Sequence, residues 1–107
     1  MNQEISSKRL EEIRMMVERV RDRKESEFFR EPFRYADFGM MDYPIIVTHA
    51  MDLSTILKEI ESGSKQSYSD IIRSLRSIWH NAMVYNAPGS PVYKAAKIFR
   101  DHVVRQF

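Results

Sequence analysis

The sequence predicts an all-α domain of four helices, residues 1–107, with one long ordered loop between the first and second helices. Three observations predict it. Apolar residues recur at helical spacing in four segments, start and stop residues bound those segments, and no stretch alternates convincingly as a strand. The 107 residues suit one domain with a core of its own.

The first helix is expected near residues 7–27, where Leu10, Ile13, Val17 and Val20 form one stripe and Arg and Glu fill the other faces. The basic run Arg19–Lys24 is interleaved with acids and reads as a solvated helix surface rather than a targeting signal. The second helix, near 53–62, follows Asp52 as N-cap, buries Leu53, Ile56, Leu57 and Ile60, and stops at Gly63. The third, near 68–86, opens on a capping-box pattern, Ser67-Tyr68-Ser69-Asp70. It carries Ile71, Leu75, Ile78, Trp79 and Ala82, with Trp79 expected in the core, and Pro88 forbids its continuation. The fourth, near 91–106, starts with Ser90 as N-cap and Pro91 in the first turn, and buries Val92, Ala96, Phe99 and Val103.

What is left, residues 28–52, is too long for an ordinary connection and is not composed like a disordered one. Six of the twelve aromatics fall between Phe28 and Tyr43, beside Met40, Met41 and Ile45-Ile46-Val47. Such a loop is expected to fold back and bury those side chains on the bundle. Next to it, NAMVYNAPGSPVY (81–93) sets Asn86 at a helix break, either as a cap or as a free amide. An apolar loop beside one polar anchor is how a small binding pocket is built.

Composition excludes several classes. With no cysteine there is no disulfide, thiol nucleophile or Cys-ligated zinc. His49, His80 and His102 show no ligand spacing, so no metal is expected; no phosphate-cradling glycine loop and no catalytic constellation appear, so neither cofactor nor enzyme is expected. No run is long enough for a membrane span and no leader precedes the first helix, so a soluble intracellular domain is expected, cut from a longer chain. The net charge of +2 does not argue for nucleic acid. Residues 35–69, with two Lys/Arg against five Asp/Glu, favour a basic peptide instead.

Four blocks resemble the bromodomain, the acetyl-lysine-reading left-handed four-helix bundle. They are Phe29-Arg30-Glu31-Pro32-Phe33, Asp42-Tyr43 with Ile45-Ile46, Ala50 through Ile56, and Asn81 through Ser90. Together they cover nearly the whole chain in register. The resemblance implies that Asn86 donates to the acetyl carbonyl and that Tyr43 reaches it through a water. It further implies that Phe29, Pro32, Phe33, Phe38, Met40, Tyr85 and Val92 line the pocket, with Val92 as gatekeeper. It implies an acetylated histone-tail or other acetylated peptide as partner, recruitment to chromatin, a nuclear location and a monomeric isolated domain. Glu27-Phe28-Phe29 departs from the family's Trp-Pro-Phe shelf, Phe33 replaces a valine, Phe38 stands where leucine is frequent, and Ala50 replaces a proline. The alternative is a degenerate bundle, its pocket closed by Phe33 and Phe38, that serves as a structural or protein–protein interaction element.

Overall fold

The computed structural model describes residues 7–64, 67–103 and 105. Among these residues the chain folds as an all-α bundle with no strand. Helix α1 is Ser7–Asp22, α2 is a single turn at Tyr43–Ile46, α3 is Leu53–Ser62, α4 is Tyr68–Tyr85 and α5 is Pro91–Ile98. Helix α1 packs on α3, and α4 on α5. One cluster holds them: Ile13, Val17 and Val20 from α1, four residues of α3, Ile71, Leu75 and Ile78 from α4, and Ala96 from α5. These are the stripes read from periodicity, and burying each large aliphatic contributes about 1.5–3 kcal/mol.

The helix starts are set locally. The carboxylate of Asp52 accepts the Thr55 N–H at 2.9 Å and the Thr55 hydroxyl at 2.6 Å. Ser67 Oγ accepts the Asp70 N–H at 3.2 Å, and Ser90 Oγ accepts that of Tyr93 at 3.3 Å. Each of the three N–H bonds satisfies a donor that the first helical turn leaves open.

Two helix ends differ from expectation. The first helix stops at Asp22, not residue 27, and a 3₁₀ segment, Lys24–Phe29, follows. At the break Arg23 is extended, with ψ 143°. The Arg30 guanidinium returns there, Nε donating to the Arg21 carbonyl at 2.7 Å and Nη2 to that of Arg23 at 2.8 Å. A cation on orphaned C-terminal carbonyls suits both hydrogen bonding and the helix dipole. Continued as a straight α-helix, Phe29 would lie about 180° round from Val20, away from the core. The break instead buries Phe29 against Phe99, ring centroids 5.0 Å apart. The fourth helix is α-helical only to Ile98, then widens into a π turn, Phe99–Val103, which keeps both end residues in the core. The expected positions 104 and 106 lie outside the described residues.

Trp79 is half-buried rather than enclosed. It packs against the core from outside, with the Arg100 guanidinium 5.6 Å from its ring centroid.

The loop is tied down at three points. The Ser54 N–H donates to the Arg30 carbonyl at 2.9 Å, Asn81 Nδ2 to the His49 carbonyl at 2.9 Å, and the Tyr85 hydroxyl to Asp42 Oδ1 at 2.7 Å. Between these ties the expected burial does not occur. Of its apolar side chains only Phe29 and Val47 are buried, while Phe38 is 67% and Ile45 78% exposed. Phe29 reaches the core, whereas Phe33, Tyr35, Phe38 and Tyr43 pack on one another.

Candidate functional site

Helix α4 ends because Asn86 is extended, with φ −94° and ψ 146°, ahead of Pro88. Its backbone N–H still donates to the Ala82 carbonyl at 3.0 Å, and its side-chain Nδ2 donates to the same carbonyl at 2.9 Å. The backbone bond already satisfies that carbonyl, so the side-chain bond chiefly orients the amide. The second N–H of Nδ2 and the acceptor Oδ1 have no partner among the described residues. Asn86 is thus both the helix cap and an amide with free capacity.

In front of it lies a cavity of about 270 Å³, walled by Phe28, Phe29, Glu31, Phe33, Phe38, Met40, Tyr43, Met51, Ile78, Asn81, Ala82, Asn86 and Val92. The wall facing Asn86 is a chain of rings. Phe33 stacks on Phe38 with centroids 5.8 Å apart, and Tyr43 meets the edge of Phe33 and of Tyr85 at 4.9 Å each. Offset and edge-on ring pairs add about 0.5–1.5 kcal/mol beyond their buried area. Phe33 and Phe38 therefore wall the space rather than fill it, contrary to what the closed-pocket alternative requires.

Tyr43 is half-buried and its hydroxyl has no partner among the described residues. Burial, and then the Asp52 carboxylate, push its pKa above the ordinary tyrosine value. Near neutral pH it is a phenol able both to donate and to accept. Tyr85 stands behind it. Its ring supports Tyr43, its hydroxyl holds Asp42, and that hydrogen bond raises its own pKa. The bond spans 43 residues of sequence and fixes the loop on α4 just before Asn86.

Of the residues singled out in the sequence, the structure brings Asn86, Tyr43, Phe29, Phe33, Phe38, Met40 and Val92 to the cavity. It does not bring Pro32 or Tyr85. Pro32 is exposed, and its neighbours Glu31 and Phe33 line the cavity in its place. Sequence reasoning missed Phe28, Glu31, Met51, Ile78, Asn81 and Ala82 as walls. Two of them had a signal: Ile78, Ala82 and Asn86 are spaced by four and share one face of α4. The others depend on where the loop lies. Among the described residues no group of three or more His, Asp or Glu could hold a metal ion, and no helix is long and apolar enough to cross a membrane.

The family model of the bromodomain matches residues 13–98. Bromodomain-containing protein 7 of Homo sapiens is 34% identical over 87 residues, covering 81% of this chain and 13% of that protein. Transcription factor GTE9 of Arabidopsis thaliana is 29% identical over 85 residues, 79% of this chain and 12% of that protein. An ankyrin repeat, bromo and BTB domain-containing protein of Dictyostelium discoideum is 35% identical over 75 residues, 70% and 9%. The chain thus spans a small part of the length of the curated relatives it matches.

Proposed function

The chain belongs to the bromodomain family, a family of acetyl-lysine-binding modules, and from that premise we propose that its cavity docks an acetylated lysine of a histone tail. Asn86 Nδ2 donates to the acetyl carbonyl, Tyr43 reaches the same oxygen through a water, and Val92 stands at the mouth. Binding recruits the parent protein to chromatin in the nucleus, and the domain acts as a monomer. The observation that carries this reading is the pairing of unused polar capacity on Asn86 and Tyr43 with a cavity walled mainly by aromatic, aliphatic and Met side chains.

The physical chemistry supports selection for the acetylated form. An ammonium desolvated without a partner costs several kcal/mol. The acetyl amide loses hydration that Asn86 and a bridging water replace. Four methylenes and a methyl at about 0.8 kcal/mol each contribute roughly 4 kcal/mol, and the Asn86 bond adds about 1 kcal/mol. The sum of about 5 kcal/mol corresponds to a Kd of a few hundred micromolar, and ordering the peptide subtracts from it, so one mark is bound at about that affinity or more weakly.

The test is a resonance-shift titration. An acetylated histone-tail peptide should shift the Asn86, Tyr43 and Val92 signals, and the unmodified peptide should not. Equal shifts with both peptides, or none across a panel of acetylated tails, would contradict the reading.

A further inference from the structure

Glu31 is the one ionic side chain in a cavity wall that is otherwise aromatic, aliphatic, sulfur-bearing or amide. Its position is held from both ends. The Ser54 N–H takes the carbonyl of the preceding residue, Arg30, at 2.9 Å, and the Ser54 hydroxyl donates to Glu31 Oε1 at 2.9 Å. That anchors the carboxylate to the first turn of α3 and leaves Oε2 without a partner among the described residues.

Among the described residues no cation neutralises it. The nearest guanidiniums in sequence are both engaged elsewhere: Arg30 caps the α1 carbonyls, and Arg34 pairs with Asp37 at 3.4 Å. Among the described residues Glu31 makes no ion pair, and it is exposed. The half-buried Asn86 and Tyr43 lie in the same cavity wall. The lining therefore combines apolar and amide surface with one exposed carboxylate facing water.

An acetyl-lysine side chain carries no charge and forms no ion pair with that carboxylate. A basic residue elsewhere on the same peptide does, because the peptide backbone must run along the mouth once one side chain has entered. Resting on the acetyl-lysine reading above, we infer that Glu31 is a specificity-determining residue: its carboxylate receives the ammonium or guanidinium of an unmodified Lys or Arg flanking the acetylated lysine. The cavity then reads one acetyl-lysine in a basic sequence and discriminates against a second acetylation beside the first. An exposed ion pair of this kind is worth little to overall affinity, but it is enough to rank neighbouring sites.

The experiment measures affinities for two series of peptides. Both carry one acetyl-lysine; one has an unmodified lysine placed one to four residues to either side, and the other has that second lysine acetylated. At low salt the wild-type domain should bind the best singly acetylated peptide about two- to fivefold more tightly than its doubly acetylated counterpart. The preference should fade as salt is raised. Glu31→Gln should bring the affinity ratio of the two peptides to about one, and Glu31→Lys should reverse it. Retention of the preference in Glu31→Gln, or a wild-type preference for two acetyl groups, would overturn the inference while leaving the acetyl-lysine reading intact. Failure of every acetylated peptide to bind would overturn both.

Discussion

The bundle core and the loop between α1 and α3 hold similar residues and use them in opposite ways. In the core, Ile13, Val17, Leu53, Ile71 and Phe99 are withdrawn from water altogether. In the loop, Phe33, Phe38, Met40 and Met41 stay at least 38% exposed; Phe33 and Phe38 pack on each other, and three hydrogen-bonded ties hold the loop on the helices. Burial makes the first region stable, and of its buried cluster only Phe29 and Ile78 reach the cavity wall. The second region keeps apolar surface accessible at the cavity, and depends on a few polar bonds to keep it in place.

Substitutions that separate the two regions should separate stability from binding. The largest effect belongs to the core. Phe99→Ala removes a fully buried ring that packs on Phe29 and should cost about 3–5 kcal/mol of stability in chemical denaturation. Peptide binding should fall only as the folded fraction falls. Asn86→Ala should do the reverse. Its backbone N–H keeps the bond to the Ala82 carbonyl, so the unfolding midpoint should barely move. Binding of an acetylated peptide should fall at least tenfold, roughly 1.4 kcal/mol or more, because the acetyl carbonyl is left without its donor.

Gly39 sharpens the contrast inside the loop. It ends the 3₁₀ turn Tyr35–Phe38 with φ 69°, and an added Cβ would meet nothing within 4 Å. Gly39→Ala should therefore cost only the left-handed backbone penalty, about 1–2 kcal/mol, read as a lower unfolding midpoint.

The smallest effect is a titration. The Asp42 bond and burial raise the Tyr85 pKa, and burial raises that of Tyr43. A group with a raised folded pKa stabilises fully below the unfolded value, near 10 for tyrosine, and that contribution is lost as pH rises through the folded value. Ultraviolet titration should show two tyrosines ionising late, and Tyr85→Phe should remove one of them. It should also speed hydrogen exchange in the loop around Asp42, since the tie to α4 is gone.

Much of the bundle was legible because its causes are local. The stripes of four helices follow from periodicity, and Asp52, Ser67 and Ser90 cap as their positions suggest. The early end of α1 was not legible, because its cause lies at a distance. Arg30 reaches back to Arg21 and Arg23, and Phe29 must meet Phe99 some 70 residues later. The loop's exposure was misjudged for a similar reason. Composition says that Phe and Met prefer burial, but not that a chain of ring contacts can replace the core as the neighbour of Phe33 and Phe38. Asn86 was legible as an amide at a helix break; that it does both jobs, cap and free donor, follows only from the two bonds to one carbonyl.

The central claim is that this amide, and not the aromatic loop alone, distinguishes an acetylated lysine. It is tested most directly by calorimetric titration of one acetylated tail peptide and its unmodified form into wild type and Asn86→Ala, with denaturation curves for both proteins. The account predicts weak but measurable binding only for the acetylated peptide on wild type, loss of that binding in Asn86→Ala, and matching denaturation midpoints. Equal affinity of the two proteins for the acetylated peptide, at equal stability, would contradict it.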